Sequence, residues 1–134
     1  MSNSGLLMVT HAPLGNALLQ VVAHILDASP EFLKILDIPP TAEQEIIIDE
    51  GLLLLKQLDQ HKGVVILSDC KGSTPGNIAE QLHSIAFNSS LVFGLNLPML
   101  LRAINYCGQS HHAVADAAVA GGRKSIIKSE IRHD

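Results

Sequence analysis

Short apolar runs alternate along this chain with stretches in which apolar residues recur every three or four positions. Leu6-Leu7-Met8-Val9 is an unbroken run of strand length. Pro13 to Gly15 interrupts it, and Ala17, Leu18, Val21, Val22, Ile25 and Leu26 then follow at helical spacing until Ser29-Pro30. Phe32 to Ile38, closed by Pro39-Pro40, reads as a second strand. Thr41 with Gln44 makes a capping box for a helix running to about Asp59, which His61-Lys62-Gly63 terminate. Val64 to Ser68 carries the β-branched, apolar run expected of a strand covered on both faces, and it is placed at the centre of the sheet.

Beyond it, Thr74 can cap a helix with Pro75 in its first turn. Ile78, Ala79, Leu82, Ile85 and Ala86 mark the apolar face of that helix, which ends near Asn88-Ser89-Ser90. Leu91 to Asn96 is a fourth strand, and Pro98 starts a helix through about Tyr106. Ser110 to Ala120 is an alanine-rich final helix closed by Gly121-Gly122. The tail, Arg123 to Ile131, has no single reading. Strands alternating with helices predict an α/β fold: a doubly wound, mostly parallel four-stranded sheet with helices on both faces and right-handed crossovers. The whole of 1–134 reads as one domain, with no repeat or linker.

Composition narrows the function. With 47% hydrophobic and 16% charged residues over 134 positions, the chain can bury a core and is not a disordered polypeptide. Its apolar runs are too short and too interrupted to span a bilayer, so no membrane insertion is expected. Met1 to Gly5 carries no basic residue ahead of the first apolar run, which argues against a secretory signal and for the cytoplasm. A formal net charge of −4 and 3% aromatic residues leave neither the basic surface nor the stacking rings of a nucleic-acid binder. Cys70 and Cys107 show no Cys-x-x-Cys spacing and read as reduced thiols. His24, His61, His83, His111, His112 and His133 show no metal-ligand spacing and are expected at the surface, with no metal and no cofactor. Glu43, Glu45, Asp49, Glu50 and Asp59 read as a solvated helix face, and Met8 and Met99 as core.

The chemistry concentrates at two strand ends. His11 follows the first apolar run, and Asp69 follows the strand at Val64 to Ser68. In an open parallel sheet, groups at the carboxyl ends of neighbouring strands share one crevice. An Asp69 carboxylate that accepts from one ring nitrogen of His11 would fix its tautomer and leave the other nitrogen as a nucleophile. More ordinary roles are a solvated histidine and an acid that caps its own turn. The turn Gly72-Ser73-Thr74-Pro75 opens a helix, where backbone N–H groups and hydroxyls can hold an anion without lysine or metal. Thr10, Gly72, Ser73 and Thr74 are thus the expected phosphoryl-binding residues beside a phosphorylated His11. The glycine spacing of an ATP-binding P-loop is missing, and Ser73 stands in no nucleophile elbow.

The pieces Thr10-His11, Val64-Val65-Ile66-Leu67-Ser68-Asp69, Gly72-Ser73-Thr74-Pro75-Gly76-Asn77 and Gly94-Leu95-Asn96-Leu97-Pro98-Met99-Leu100, in this order, resemble the mannose-family IIA component of the bacterial sugar phosphotransferase system. The resemblance implies that His11 accepts a phosphoryl group from phospho-HPr and passes it to a separate IIB protein, with Asp69 orienting the ring and no cofactor. It also implies a homodimer that exchanges an antiparallel edge strand, for which Arg123 to Lys128 is the candidate. The chain departs from the family where Lys71-Gly72 replaces a pair of glycines and sets a positive charge beside the site. Other readings stay open: a regulatory binding module controlled by His11 phosphorylation, and the phosphotransfer subunit of a dihydroxyacetone kinase system. A receiver-like Asp69 phosphoacceptor lacks its acidic magnesium-binding pair at Thr10-His11.

Overall fold

A computed structural model describes residues 3–58 and 62–133. Four strands, β1 (Gly5–His11), β2 (Leu33–Ile38), β3 (Val64–Ser68) and β4 (Ser89–Phe93), form one sheet in the order β2-β1-β3-β4, with every neighbouring pair parallel. Five helices accompany them: α1 (Leu14–Leu26), α2 (Gln44–Leu58), α3 (Thr74–Ile85), α4 (Leu97–Tyr106) and α5 (His111–Lys124). This is the doubly wound α/β architecture that the alternating pattern predicts.

The period of two along each strand divides the core into two layers. Leu6, Met8, Val65 and Leu67 face α1, α4 and α5, together with Val22, Leu100 and Val114. Leu7, Val9, Val64 and Ile66 face α2 and α3, together with Ile47, Leu55, Ile78 and Leu82. The two central strands are therefore apolar on both faces, and burying each of their Val, Leu, Ile or Met side chains contributes about 1.5–3 kcal/mol. Met8 and Met99 are core residues, as their setting in the sequence suggests.

Chain order places the site. From β1 the chain crosses to β2 at one edge, and from β3 it crosses to β4 at the other. The windings thus part between β1 and β3, and the crevice opens beyond the carboxyl ends of those strands. His11 ends β1 and Asp69 is the first residue after β3.

Several boundaries depart from the sequence pattern. The fourth strand covers Ser89–Phe93 rather than Leu91 to Asn96, because Asn96 is the N-cap of α4 and accepts from Met99 N–H at 2.9 Å. The second helix starts at Gln44, and its first turn closes from Ile47 N–H to the Glu43 carbonyl, so Thr41 lies outside it. Its described residues end at Leu58; Asp59 and His61 lie outside the described residues. The last helix runs straight through Gly121-Gly122 instead of ending there. An added Cβ at Gly121 would meet Arg102 Cβ at 2.9 Å, and one at Gly122 would meet Met99 Cε at 3.0 Å. Those glycines serve the close approach of α5 to α4 and not a helix stop. Arg123 and Lys124 are consequently helical, and residues 126–133 add no strand to the sheet within this chain.

His111 also departs from expectation. The residue is only 6% exposed, with Nδ1 at 2.7 Å from Ser90 Oγ and the tilted ring of His112 centred 4.0 Å away, whereas His112, His24 and His133 lie at the surface. Burial, then the neighbouring His112 and His83, push its pKa below the usual 6.5. The folded state therefore holds His111 neutral where the unfolded chain already takes up a proton. Its contribution to stability is complete above about pH 6.5 and is lost as pH falls through the folded value. Denaturant unfolding of the wild type is expected to lose stability as pH falls below about 6.5, and His111→Asn to flatten that slope.

Candidate functional site

β1 and β3 are in direct register, Val9 opposite Ser68, so the residues that follow them emerge side by side. There the Asp69 carboxylate meets His11 twice. Its Oδ2 accepts from the His11 backbone N–H at 3.0 Å and stands 2.7 Å from ring Nδ1. The imidazole side chain is 56% exposed and the carboxylate side chain 12%. Partial burial alone would raise the Asp69 pKa, but the hydrogen bonds from the His11 ring and backbone and the charge on that ring outweigh it, and the carboxyl lies below its usual 3.8. An ionised Asp69 can only accept, so Nδ1 is the donor in this contact, and in the neutral tautomer that fits it Nε2 is the nitrogen with the free lone pair. The other carboxylate oxygen, Oδ1, and the Ser68 hydroxyl are buried without a hydrogen-bond partner.

The turn after Asp69 is shaped by Gly72, whose φ of +85° a side chain rarely adopts. Ser73, not Thr74, caps α3: its backbone is extended, its Oγ accepts from Gly76 N–H at 3.2 Å, and its hydroxyl donates to the Cys70 carbonyl at 2.6 Å. Thr74 is the first helical residue and Pro75 follows, where the missing N–H costs nothing. A Cβ on Gly76 would fall on the Cys70 carbonyl oxygen, so the helix can begin this close to the turn only with glycine there. Cys70 and Lys71 are exposed on the outside of the turn.

Thr74 and Pro75 form one wall of a cleft of about 300 Å³ whose other walls are His11, Ile38, Pro39 and Ala42. Of the residues expected to bind a phosphoryl group, Thr74 lines this cleft with His11, Gly72 stands in the turn, and the Ser73 hydroxyl is committed to capping. Thr10 is elsewhere: it is completely buried on the opposite face of β1, and its hydroxyl donates to Asp37 Oδ1 at 2.5 Å. Its side chain therefore has no free edge to offer a ligand.

Asp37 is the residue that sequence reasoning missed. α1 receives no side-chain cap from Pro13, and the Asp37 carboxylate, at the end of β2, fills that place. Oδ1 accepts from Gly15 N–H at 2.8 Å, and Oδ2 from the Asn16 N–H and side-chain amide, each at 2.9 Å. One signal was available: Leu33, Ile35 and Asp37 share a face at period two, so an acid occupies an inward position of a strand. The positive end of α1 is thus met by the protein's own carboxylate. Among the described residues no group of three or more His, Cys, Asp or Glu could hold a metal ion, and no helix is long and apolar enough to cross a membrane.

The acidity of Asp69 depends on its partner. A ¹³C titration of the Asp69 carboxyl is expected to give a midpoint below 3.8 in the wild type and a higher one in His11→Ala, which removes the hydrogen bond and charge of the ring but keeps the backbone donors.

Solved structures share this architecture. The mannose/sorbose-specific IIA subunit of the phosphotransferase system from Enterococcus faecalis superposes with a TM-score of 0.84 at 20% identity, over 99% of this chain and 98% of that one. A PTS IIA protein associated with the fucose utilization operon of Streptococcus pneumoniae gives 0.82 at 19%, over 95% and 93%. The phosphotransferase system component EIIA of Streptococcus agalactiae gives 0.78 at 19%, over 92% and 95%. At such identities the likeness speaks for the fold alone. No curated protein matches the sequence. The family profile of EIIA-man, described as PTS system fructose IIA component, does match it over residues 5–119, which takes in every strand, the His11–Asp69 pair and the turn that opens α3. With the greater part of its length matched, the chain belongs to the mannose-type IIA family of the phosphotransferase system.

Proposed function

We propose that this protein is a phosphocarrier that takes a phosphoryl group from phospho-HPr onto Nε2 of His11 and hands it to a IIB component of a mannose-type sugar phosphotransferase system. The observation that carries this reading is the contact of 2.7 Å between Asp69 Oδ2 and His11 Nδ1, which leaves Nε2 the nucleophilic atom of an exposed ring. In the transfer, the Nε2 lone pair forms a bond to phosphorus as the phosphorus–nitrogen bond of the donor histidine breaks. The bonding pair returns to the donor ring, and the reverse sequence delivers the group to the acceptor. No proton need leave the Nδ1–Asp69 contact. Such transfer depends on placement and on stabilising charge over the phosphoryl oxygens.

The Thr74 hydroxyl, the backbone of Gly72 and Ser73, and the positive end of α3 are the groups proposed to face those oxygens. Each hydrogen bond to a charged oxygen is worth about 1.5–3 kcal/mol, so two or three can hold the phosphoryl group without a metal. Lys71 adds a positive charge on the same turn. The cleft beside His11 is walled by Ile38, Pro39, Ala42 and Pro75. Such apolar walls suit the surface of a protein donor better than the hydroxyls of a free sugar. The exposed Ile126, Ile127 and Ile131 of the tail accord with a homodimer in which that segment is covered by a second subunit.

The test is intact mass after incubation with phosphoenolpyruvate, enzyme I and HPr. The wild type is expected to gain one phosphoryl group that is lost in acid, and His11→Ala to gain none. Phosphorylation of His11→Ala, or acid-stable phosphate, would overturn the reading. Stable phosphate on His11 that no IIB protein accepts would favour the regulatory module, and transfer to a kinase subunit the dihydroxyacetone system.

A further inference from the structure

The transfer chemistry above makes no use of Asp37, yet this carboxylate accepts four hydrogen bonds, one of them from Thr10, the residue before the reacting histidine. Thr10 and Asp37 are opposite each other in the parallel register of β1 and β2, on the face covered by α1. The carboxylate sits against Gly15, where an added Cβ would lie 2.6 Å from Asp37 Oδ1 and 2.8 Å from Thr10 Oγ1. It therefore holds the residue before His11 through the Thr10 hydroxyl. Through the N–H groups of Gly15 and Asn16 it also holds the far end of the segment 11–14. The near end of that segment is tied again by His11 N–H to Asp69 and by Ala12 N–H to the Ile38 carbonyl at 3.1 Å.

We propose that Asp37, acting through Thr10, is the positioning residue of the phosphoacceptor. It fixes the backbone from which the His11 ring projects, so that Nδ1 meets Asp69 and Nε2 is aimed before any donor binds. This inference rests on the reading of His11 as the acceptor. A plain helix cap needs only the bonds to Gly15 and Asn16. The bond from Thr10, which lies in the sheet and not in the helix, is what couples the cap to the acceptor. Displacing a reacting group by an ångström can cost about 100-fold in rate, so loosening this brace should act on the transfer step.

The test compares Asp37→Asn, Thr10→Val and Thr10→Ser in the full chain. Two readouts are needed: the ¹⁵N signals of the His11 ring in the unphosphorylated protein, and the rate of phosphorylation at varied concentrations of phospho-HPr. Asp37→Asn and Thr10→Val are expected to lower the maximal rate by roughly 10- to 100-fold while leaving the half-saturating donor concentration unchanged, and to shift the His11 ring signals. Thr10→Ser, which keeps the hydroxyl, is expected to restore most of what Thr10→Val loses. Thr10→Val spares the bonds to α1, so it decides the question even where Asp37→Asn fails to fold. A folded Thr10→Val protein with wild-type rate and wild-type ring signals would reduce Asp37 to a helix cap. So would a Thr10→Ser protein indistinguishable from Thr10→Val. Failure of the wild type itself to take up phosphate would instead overturn the phosphocarrier reading, while the ring signals would still decide whether Asp37 positions His11.

Discussion

A single carboxylate oxygen, Oδ2 of Asp69, accepts from both the backbone and the ring of His11, and the remainder of the site is arranged so that this can happen. The requirement is demanding because the two residues are 58 positions apart in the chain. They meet only because β1 and β3 are adjacent, parallel and in a register that brings both strands to an end at the same level. That register is held by two strands buried on both faces, where a slip of one residue would send every apolar side chain to the wrong layer.

The two acids near His11 have different tasks. Asp69 touches the ring, and in the proposed transfer it sets which nitrogen is available. Asp37 never touches it, but it draws β1, β2 and the start of α1 onto one point. The division has an electrostatic consequence as well. An open sheet of this kind aims several helix N-termini at the same crevice, each of which attracts anions. Here the N-terminus of α1 is filled by Asp37, and the start of α3 is left on the side where His11 is exposed. The start of α3 is thus the anion position proposed beside the ring.

Much of this was legible in the sequence. The apolar runs at Leu6 to Val9 and Val64 to Leu67, and the helical periodicities between them, gave the architecture, since a strand apolar on both faces has few places to go but the middle of a parallel sheet. His11 and Asp69 were legible for the same reason: both follow those runs directly. What stayed hidden depended on pairings that one-dimensional spacing does not encode. Asp37 reads as an ordinary acid at a strand end until the β1–β2 register sets it opposite Thr10. The same pairing moves Thr10 from a ligand-facing role to an internal one. Gly121 and Gly122 look like a helix terminator because the side chains of Arg102 and Met99 that need the space belong to another helix. His111 looks like one of a surface pair, whereas the start of α5 turns it inward onto Ser90 and leaves His112 outside.

The proposed transfer turns on which atom takes the phosphoryl group. With Nδ1 held by Asp69, the only nucleophilic nitrogen left on the ring is Nε2. The most direct measurement is nuclear magnetic resonance of the phosphorylated, ¹⁵N-labelled protein, in which coupling between phosphorus and the ring identifies the bonded nitrogen. Phosphorus on Nε2 of His11 is the predicted result. Phosphorus on Nδ1, or on the carboxylate of Asp69, would contradict the account at its root.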